Sequence, residues 1–117
     1  MKIIISETHL DELQEKLNEL VNKYINGYIG EYLTRATFDT FIIYFLPDAT
    51  NEDEYTIIEY DSDDGRLYIA KDFLLTICDM FNLKPLDVQL KINDWFINEE
   101  NIYPKYVDTP RVSKHDL

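Results

Sequence analysis

The sequence predicts an α+β domain: an antiparallel β-meander of about three strands, a long N-terminal helix and a C-terminal helical pair. Three observations carry that reading. Leu10, Leu13, Leu17, Leu20, Val21 and Tyr24 recur at three- and four-residue spacings, which places them on one face of a helix. From Phe38 to Leu46 the chain is almost wholly β-branched or aromatic, and Asp64-Gly65 separates two further runs of alternating apolar and polar residues. Pro85 opens a stretch with several apolar sets at helical spacing.

The elements follow in order. Lys2 to Ile5 reads as a short strand, with Ser6 or Thr8 as an N-cap and Glu7, Asp11 and Glu12 favourable at the positive end of a helix dipole. The leucine stripe that follows spans about two heptads, fewer than a coiled-coil seam calls for, and predicts packing into a core. Gly27 and Gly30 then punctuate the chain, and Tyr28 to Thr37 fits either strand or irregular structure. Phe41 to Leu46 is apolar on both alternating faces, as in a central strand, and Pro47 ends it.

A two-residue turn at Asp64-Gly65 would pair Asp63 with Arg66, Ser62 with Leu67, Asp61 with Tyr68 and Tyr60 with Ile69. Ile58, Tyr60, Leu67 and Ile69 then share a core face, and Glu59, Asp61, Asp63, Arg66 and Tyr68 share a solvent face. Phe73, Leu74, Ile77, Cys78 and Phe81 mark a second helix ending near Asn82. The third carries Leu86, Leu90, Trp95 and Ile97 with a second set, Val88, Ile92 and Phe96, and is expected to be buried. The domain boundary falls at 1–102, and residues 103–117, with Pro104 and Pro110, form a tail expected to be extended or partly disordered.

Composition limits the functions open to this chain. At 117 residues it is one domain, and 45% hydrophobic residues give it a core to bury. Twenty-three Asp and Glu oppose 11 Lys and Arg, a formal charge of −12 that disfavours direct contact with a phosphate backbone. The lone Cys78 forms no internal disulfide, and the apolar run at Ile3–Ile5 is far shorter than a signal core or a membrane span; both fit a cytoplasmic setting without a membrane.

The acids are concentrated. Between Pro47 and Gly65 lie Asp48, Glu52, Asp53, Glu54, Glu59, Asp61, Asp63 and Asp64, without one Lys or Arg. A field of one sign selects what approaches it, so these carboxylates, with Tyr55 and Tyr68 as apolar anchors, form the candidate partner-binding surface. Asp11, Glu15 and Glu19 recur every ~6 Å on the helix, and alternate strand residues Glu59, Asp61 and Asp63 every ~6.6 Å. Such rows resemble the charge of a nucleic-acid backbone, and a basic groove built for phosphates would accept them.

Other chemistry is poorly supported. With Gly65 at position six, a calcium loop would present one carboxylate where three oxygen ligands belong. No Cys/His set has metal spacing and no glycine loop suits a phosphate, so no metal or cofactor is expected. His9 and His115 lack a motif that would set either beside a nucleophile, and Ser113-Lys114-His115-Asp116 sits in a polar tail; an enzyme is not expected. Leu74 to Trp95 has helix-turn-helix spacing, but its second helix offers Lys84 and Lys91 beside Asp87 and Asp94, a weak basic footprint.

The opening Met1-Lys2-Ile3-Ile4-Ile5-Ser6-Glu7 before a Leu-rich helix, and the later Phe81-Asn82-Leu83 turn leading to a helix with Trp95, resemble small phage proteins. That class includes anti-CRISPR proteins and inhibitors of host nucleases, some of which resemble DNA electrostatically. The resemblance implies a virus-encoded protein acting in a host cell with no catalytic motif to carry over. The expected function is inhibition of a basic nucleic-acid-binding host protein through the acidic face. The competing expectations are a structural or adaptor protein, such as a virion component or homo-oligomer using its apolar C-terminal helices, and a helix-turn-helix regulator.

Overall fold

In the computed structural model, which describes residues 7–47 and 56–109, a long helix, a five-stranded mixed sheet and two further helices follow one another. The order is α1 (Glu7–Tyr32), β1 (Thr34–Phe38), β2 (Phe41–Phe45), β3 (Thr56–Asp61), β4 (Arg66–Ile69), α2 (Lys71–Phe81), α3 (Pro85–Glu100) and β5 (Tyr106–Asp108). The strand expected at Lys2–Ile5 and the cap at Ser6 lie outside the described residues.

The fold class matches the expectation, but five strands replace about three. Four run as an antiparallel meander, β1-β2-β3-β4, and β5 adds to β4 in parallel. Two strands escaped the sequence reading. The run from Phe38 is a hairpin, folded at Asp39-Thr40 with Asp39 at a φ of 49°, a left-handed conformation Asp tolerates without a glycine signal. Within the expected tail, Lys105 N–H and Tyr106 N–H both donate to the Gly65 carbonyl, at 2.7 and 3.2 Å, and this anchors β5.

Helix α1 continues through both glycines. Val21, Ile25 and Ile29, four apart, are 0%, 0% and 3% exposed and hold it in the core, while Tyr24, Tyr28 and Tyr32 stack along its side. Burial of the neighbouring turns outweighs the glycines' poor helix propensity. A methyl group at either Gly27 or Gly30 would meet nothing within 4 Å. Gly27→Ala and Gly30→Ala are therefore each expected to stabilise the protein by about 0.5–1 kcal/mol, read as a rise in the urea midpoint with unchanged slope.

The leucine stripe is only partly core. Leu17 packs against it, but Leu13 and Leu20 are 45% and 57% exposed, contrary to the expectation of burial. The reason is reach: α2 meets α1 at Tyr28 through Phe73 and at Tyr24 through Phe81, and then ends. Helix α3 lies on another side of α1, joined by Lys91 Nζ to Asn18 Oδ1 at 2.8 Å and Trp95 Nε1 to Asn26 Oδ1 at 3.3 Å.

The C-terminal helices form as predicted, with Asn82 and Asn101 as left-handed caps at φ 53° and 56°. The burial expected all around α3 is corrected. Val88, Ile92 and Phe96 are fully buried, whereas Leu86 and Leu90 face outward, because the sheet and the two other helices reach only the inner side of α3.

The β3–β4 register differs by two residues from the expected one. Asp61 pairs with Arg66, Tyr60 with Leu67 and Glu59 with Tyr68, leaving a four-residue loop, Ser62 to Gly65. The aspartates themselves build that loop: Asp61 Oδ1 accepts from Asp63 N–H and Asp64 Oδ1 from Arg66 N–H, both at 3.0 Å, while Gly65 N–H donates to the Asp61 carbonyl. Gly65 is required there, since its φ is +69° and a Cβ would lie 2.9 Å from Lys105 Cγ. A shift of two preserves side-chain parity, so Ile58, Tyr60, Leu67 and Ile69 do share the helix-covered face. Tyr60 meets Phe96 and Tyr44 meets Trp95 there, with ring centroids 5.2 and 5.1 Å apart. A bulge between Tyr44 and Phe45 turns Ile57 inward beside Phe73.

Candidate binding surface

The register places a second set of side chains on the opposite face of the sheet. Ala36 and Phe38 from β1, Phe41, Ile43 and Phe45 from β2, Glu59 and Asp61 from β3, Arg66 and Tyr68 from β4, and Tyr106 and Asp108 from β5 share it. Among the described residues no helix packs on this face. Phe38 is 53% and Tyr106 57% exposed, and the Phe38 and Phe41 rings stand 5.5 Å apart. The apolar side chains occupy β1 and β2, and the charged ones β3 to β5.

One end of the sheet gathers the acids. The Asp39-Thr40 turn and the Ser62–Gly65 loop lie side by side: Ser62 N–H donates to the Thr40 carbonyl at 2.9 Å, and Thr40 Oγ1 donates to Asp61 Oδ1 at 3.1 Å. Asp39, Asp63 and Asp64 are exposed around them, and Asp61 is half-buried. Arg66 lies over the Tyr106 ring at 5.2 Å, 3.4 Å from Asp108 and 3.8 Å from Asp64. Four carboxylates, Asp39, Asp61, Asp63 and Asp64, thus share this end with two cations, Arg66 and Lys105, and Asp108, level with Tyr68 and Glu59 further along the sheet, reaches it through Arg66.

The structure regroups the residues that the sequence nominated. Asp48, Glu52, Asp53, Glu54 and Tyr55 lie outside the described residues. Asp61, Asp63, Asp64 and Tyr68 come together at the loop and the adjoining face. Glu59 does not join a solvent row: it is 6% exposed, paired between Ile43 and Tyr68 in the middle of the sheet. Asp63 belongs to the loop and not to the strand. The regular strand row of Glu59, Asp61 and Asp63 is therefore corrected to a cluster at the turns. On α1, Glu15 and Glu19 are exposed on the helix surface, as their spacing implies. Sequence reasoning missed Asp39, Asp108 and the Phe38–Phe41 pair. The hairpin turn at Asp39 was the signal, hidden inside an otherwise apolar run.

Two other features have defined chemistry. A groove of about 670 Å³ between α1 and α3 is lined by Asn22, Lys23, Asn26, Asp94, Trp95 and Asn98, none of which was nominated from the sequence. Buried beneath the β1–β2 hairpin, Glu100 on α3 accepts from Arg35 Nε and Nη2 at 2.8 and 2.7 Å and from Tyr44 Oη. Those bonds, Arg35's first, hold the Glu100 carboxyl below its ordinary 4.5. Burial, then the bond to Glu100, pushes the Tyr44 hydroxyl far above 10.0, so it keeps its proton and cannot serve as a base. Cys78 is buried, and burial followed by the charge of Asp79 raises its thiol, which is the opposite of an activated nucleophile. No group of three or more metal-ligating side chains occurs among the described residues, and none of their helices is long and apolar enough to cross a membrane. Family models, curated proteins and solved structures yield no match to this chain.

Proposed function

We propose that this is a non-catalytic acidic binding protein that presents the turn end of its sheet to a basic nucleic-acid-binding protein and blocks its groove, as a phage anti-defence inhibitor would inside a host cell. The observation that carries the reading is the meeting of Asp39, Asp61, Asp63 and Asp64 at one end of a sheet face that also exposes Phe38 and Tyr106. Carboxylates supply steering and selectivity for a cationic groove, and exposed aromatics supply the apolar contact that makes such an encounter last. The helix-turn-helix alternative is disfavoured because α3 is held on all but its outer side, where Leu86, Asp87, Leu90 and Asp94 offer no cation to DNA. Exposure of Leu86 and Leu90 favours, as a second reading, a structural or adaptor role through α3.

The test is capture from host lysate with the wild type and an Asp39→Asn/Asp63→Lys variant. Asn tolerates the left-handed backbone at 39, and among the described residues it is the Asp63 N–H and not its exposed side chain that holds the loop, so the fold is expected to survive. The inhibitor reading expects a nucleic-acid-binding protein retained by the wild type at low salt, with affinity falling by about tenfold or more as salt rises and in the variant. Capture indifferent to both would overturn it, and loss on changing Leu86 and Leu90 instead would favour the adaptor.

A further inference from the structure

We infer that the groove between α1 and α3 is a saccharide-binding site, which takes a neutral pyranose ring with its hydroxyls on Asn22, Asn26, Asp94 and Asn98 and its apolar C–H face on Tyr103. The site is independent of the acidic turns. Asn18, Asn22 and Asn26 recur at four-residue intervals on one face of α1, and Asp94 and Asn98 repeat the interval on α3. Asparagine and aspartate are poor helix formers away from the ends, so helix stability does not explain rows of them inside two helices. Asn22, Asn26, Asp94 and Asn98 line one groove of about 670 Å³, within the range of small-molecule sites, and the fully buried Ile25 contributes apolar wall. Two hydrogen bonds cross from helix to helix and fix its geometry: Asn18 Oδ1 accepts from Lys91 Nζ at 2.8 Å, and Asn26 Oδ1 accepts from the Trp95 indole N–H at 3.3 Å. Tyr44 packs against the same indole at 5.1 Å. The side chains of Asn22 and Asn98 are exposed and make no hydrogen bond among the described residues.

The chemistry of the walls selects the ligand. A side-chain amide carries a donor and an acceptor side by side, as neighbouring ring hydroxyls do, and Asn26, whose oxygen is engaged by Trp95, still has two N–H groups to donate. Lys23 and Lys91 are matched in the groove by Asp94 and Glu99, so it is neutral within a chain of charge −12 and favours neither a phosphate nor a cation. A peptide would find no strand edge there, because both walls are helices whose backbone groups are bonded internally. A nucleobase would stack on an aromatic ring but presents its polar atoms along an edge, whereas a pyranose carries hydroxyls around its rim and meets amides on both helices. Tyr103, 75% exposed at the groove, supplies the ring surface for the C–H face.

Trp95 is the one tryptophan of the chain, so its indole N–H gives a single NMR resonance that reports on the groove. The experiment titrates the 15N-labelled full chain with methyl β-D-glucoside, methyl β-D-galactoside and methyl α-D-mannoside, which differ in the directions of their hydroxyls, and with adenosine and glycerol for contrast. At least one glycoside is expected to shift the indole resonance saturably, with half-saturation at about 0.1–10 mM, the range suited to one ring in an open groove, while adenosine and glycerol are not. Asn22→Ala/Asn98→Ala should weaken that binding by about tenfold or more with the fold intact, since both side chains are exposed and Ala is the better helix former. Tyr103→Ala should weaken it by a similar factor, and Tyr103→Phe, which keeps the ring, should bind within about twofold of the wild type. No saturable shift from any of the three glycosides up to about 50 mM would overturn the site. Saturation by adenosine and by no glycoside would overturn the saccharide class, and glycoside binding indifferent to the double variant would overturn the placement in this groove.

Discussion

Glu100→Ala is expected to lower the unfolding free energy by about 3 kcal/mol, a large loss for a side chain at the last turn of a helix. The Glu100 carboxylate is 8% exposed and bonded at once to Arg35 on β1 and Tyr44 on β2, so it ties the end of α3 to the outer hairpin of the sheet. Its removal leaves the Tyr44 hydroxyl, in a partly buried site, without its acceptor and Arg35 without its counter-ion. Each charge-assisted bond contributes about 1.5–3 kcal/mol, and three bonds sharing one carboxylate do not add fully. Arg35 is half exposed and regains water, which keeps the total near the value of a single strong bond with an unpaired hydroxyl.

The same site sets a pH signature. Glu100 has its carboxyl lowered in the folded state, so its stabilisation is present above 4.5 and is lost as pH falls toward the depressed value. Tyr44 has its hydroxyl raised, so the folded state retains a proton that the unfolded chain releases above 10.0, and stability falls as pH rises past that point. Urea midpoints measured across pH should show a plateau with both limbs. In Glu100→Gln the acid limb should shrink. A wild-type-like acid limb in that variant would mean that other carboxylates govern acid unfolding.

Phe96→Ala is expected to cost about 3–5 kcal/mol, the other large effect. Phe96 is fully buried in the middle of α3, where its ring lies 5.2 Å from that of Tyr60 and it shares the core with Val88 and Ile92. The cavity left behind is bounded by sheet and helices that are fixed by their own contacts and cannot collapse into it. Leu90→Ala on the same helix, at a position 53% exposed, should stay within about 0.5 kcal/mol. Equal losses at the two positions would contradict the assignment of inner and outer faces of α3.

The candidate surface was legible in composition and illegible in detail. A run of eight carboxylates without a cation is visible in one line of sequence, and Asp61, Asp63 and Asp64 do cluster. Glu59 lies within the same run, yet it pairs with Ile43 and Tyr68 on a central strand. Alternation reports which face a residue takes and is silent on what flanks it in the neighbouring strands. Asp39 and Asp108, distant in sequence from the run, reach its neighbourhood only because the β1–β2 turn sits beside the β3–β4 loop and β5 adds to β4.

Local periodicity and turn chemistry determined by themselves the helical character of α1, α2 and α3, the stop at Asn82, the start at Pro85 and the face parity of the β3–β4 hairpin. These depend on residues within a few positions of one another. Only the tertiary structure decided that α1 passes through Gly27 and Gly30, that Phe38 belongs to a hairpin, that β5 joins the sheet and that Leu13 and Leu20 stay exposed. Each of those outcomes turns on which element arrives alongside: Tyr44, Phe73 and the α3 side chains supply burial over the second half of α1, and α2 ends too soon to supply it over the first. Propensities are fractions of a kcal/mol per residue, whereas burial of one large side chain is worth about 1.5–3 kcal/mol, so packing prevails wherever the two compete.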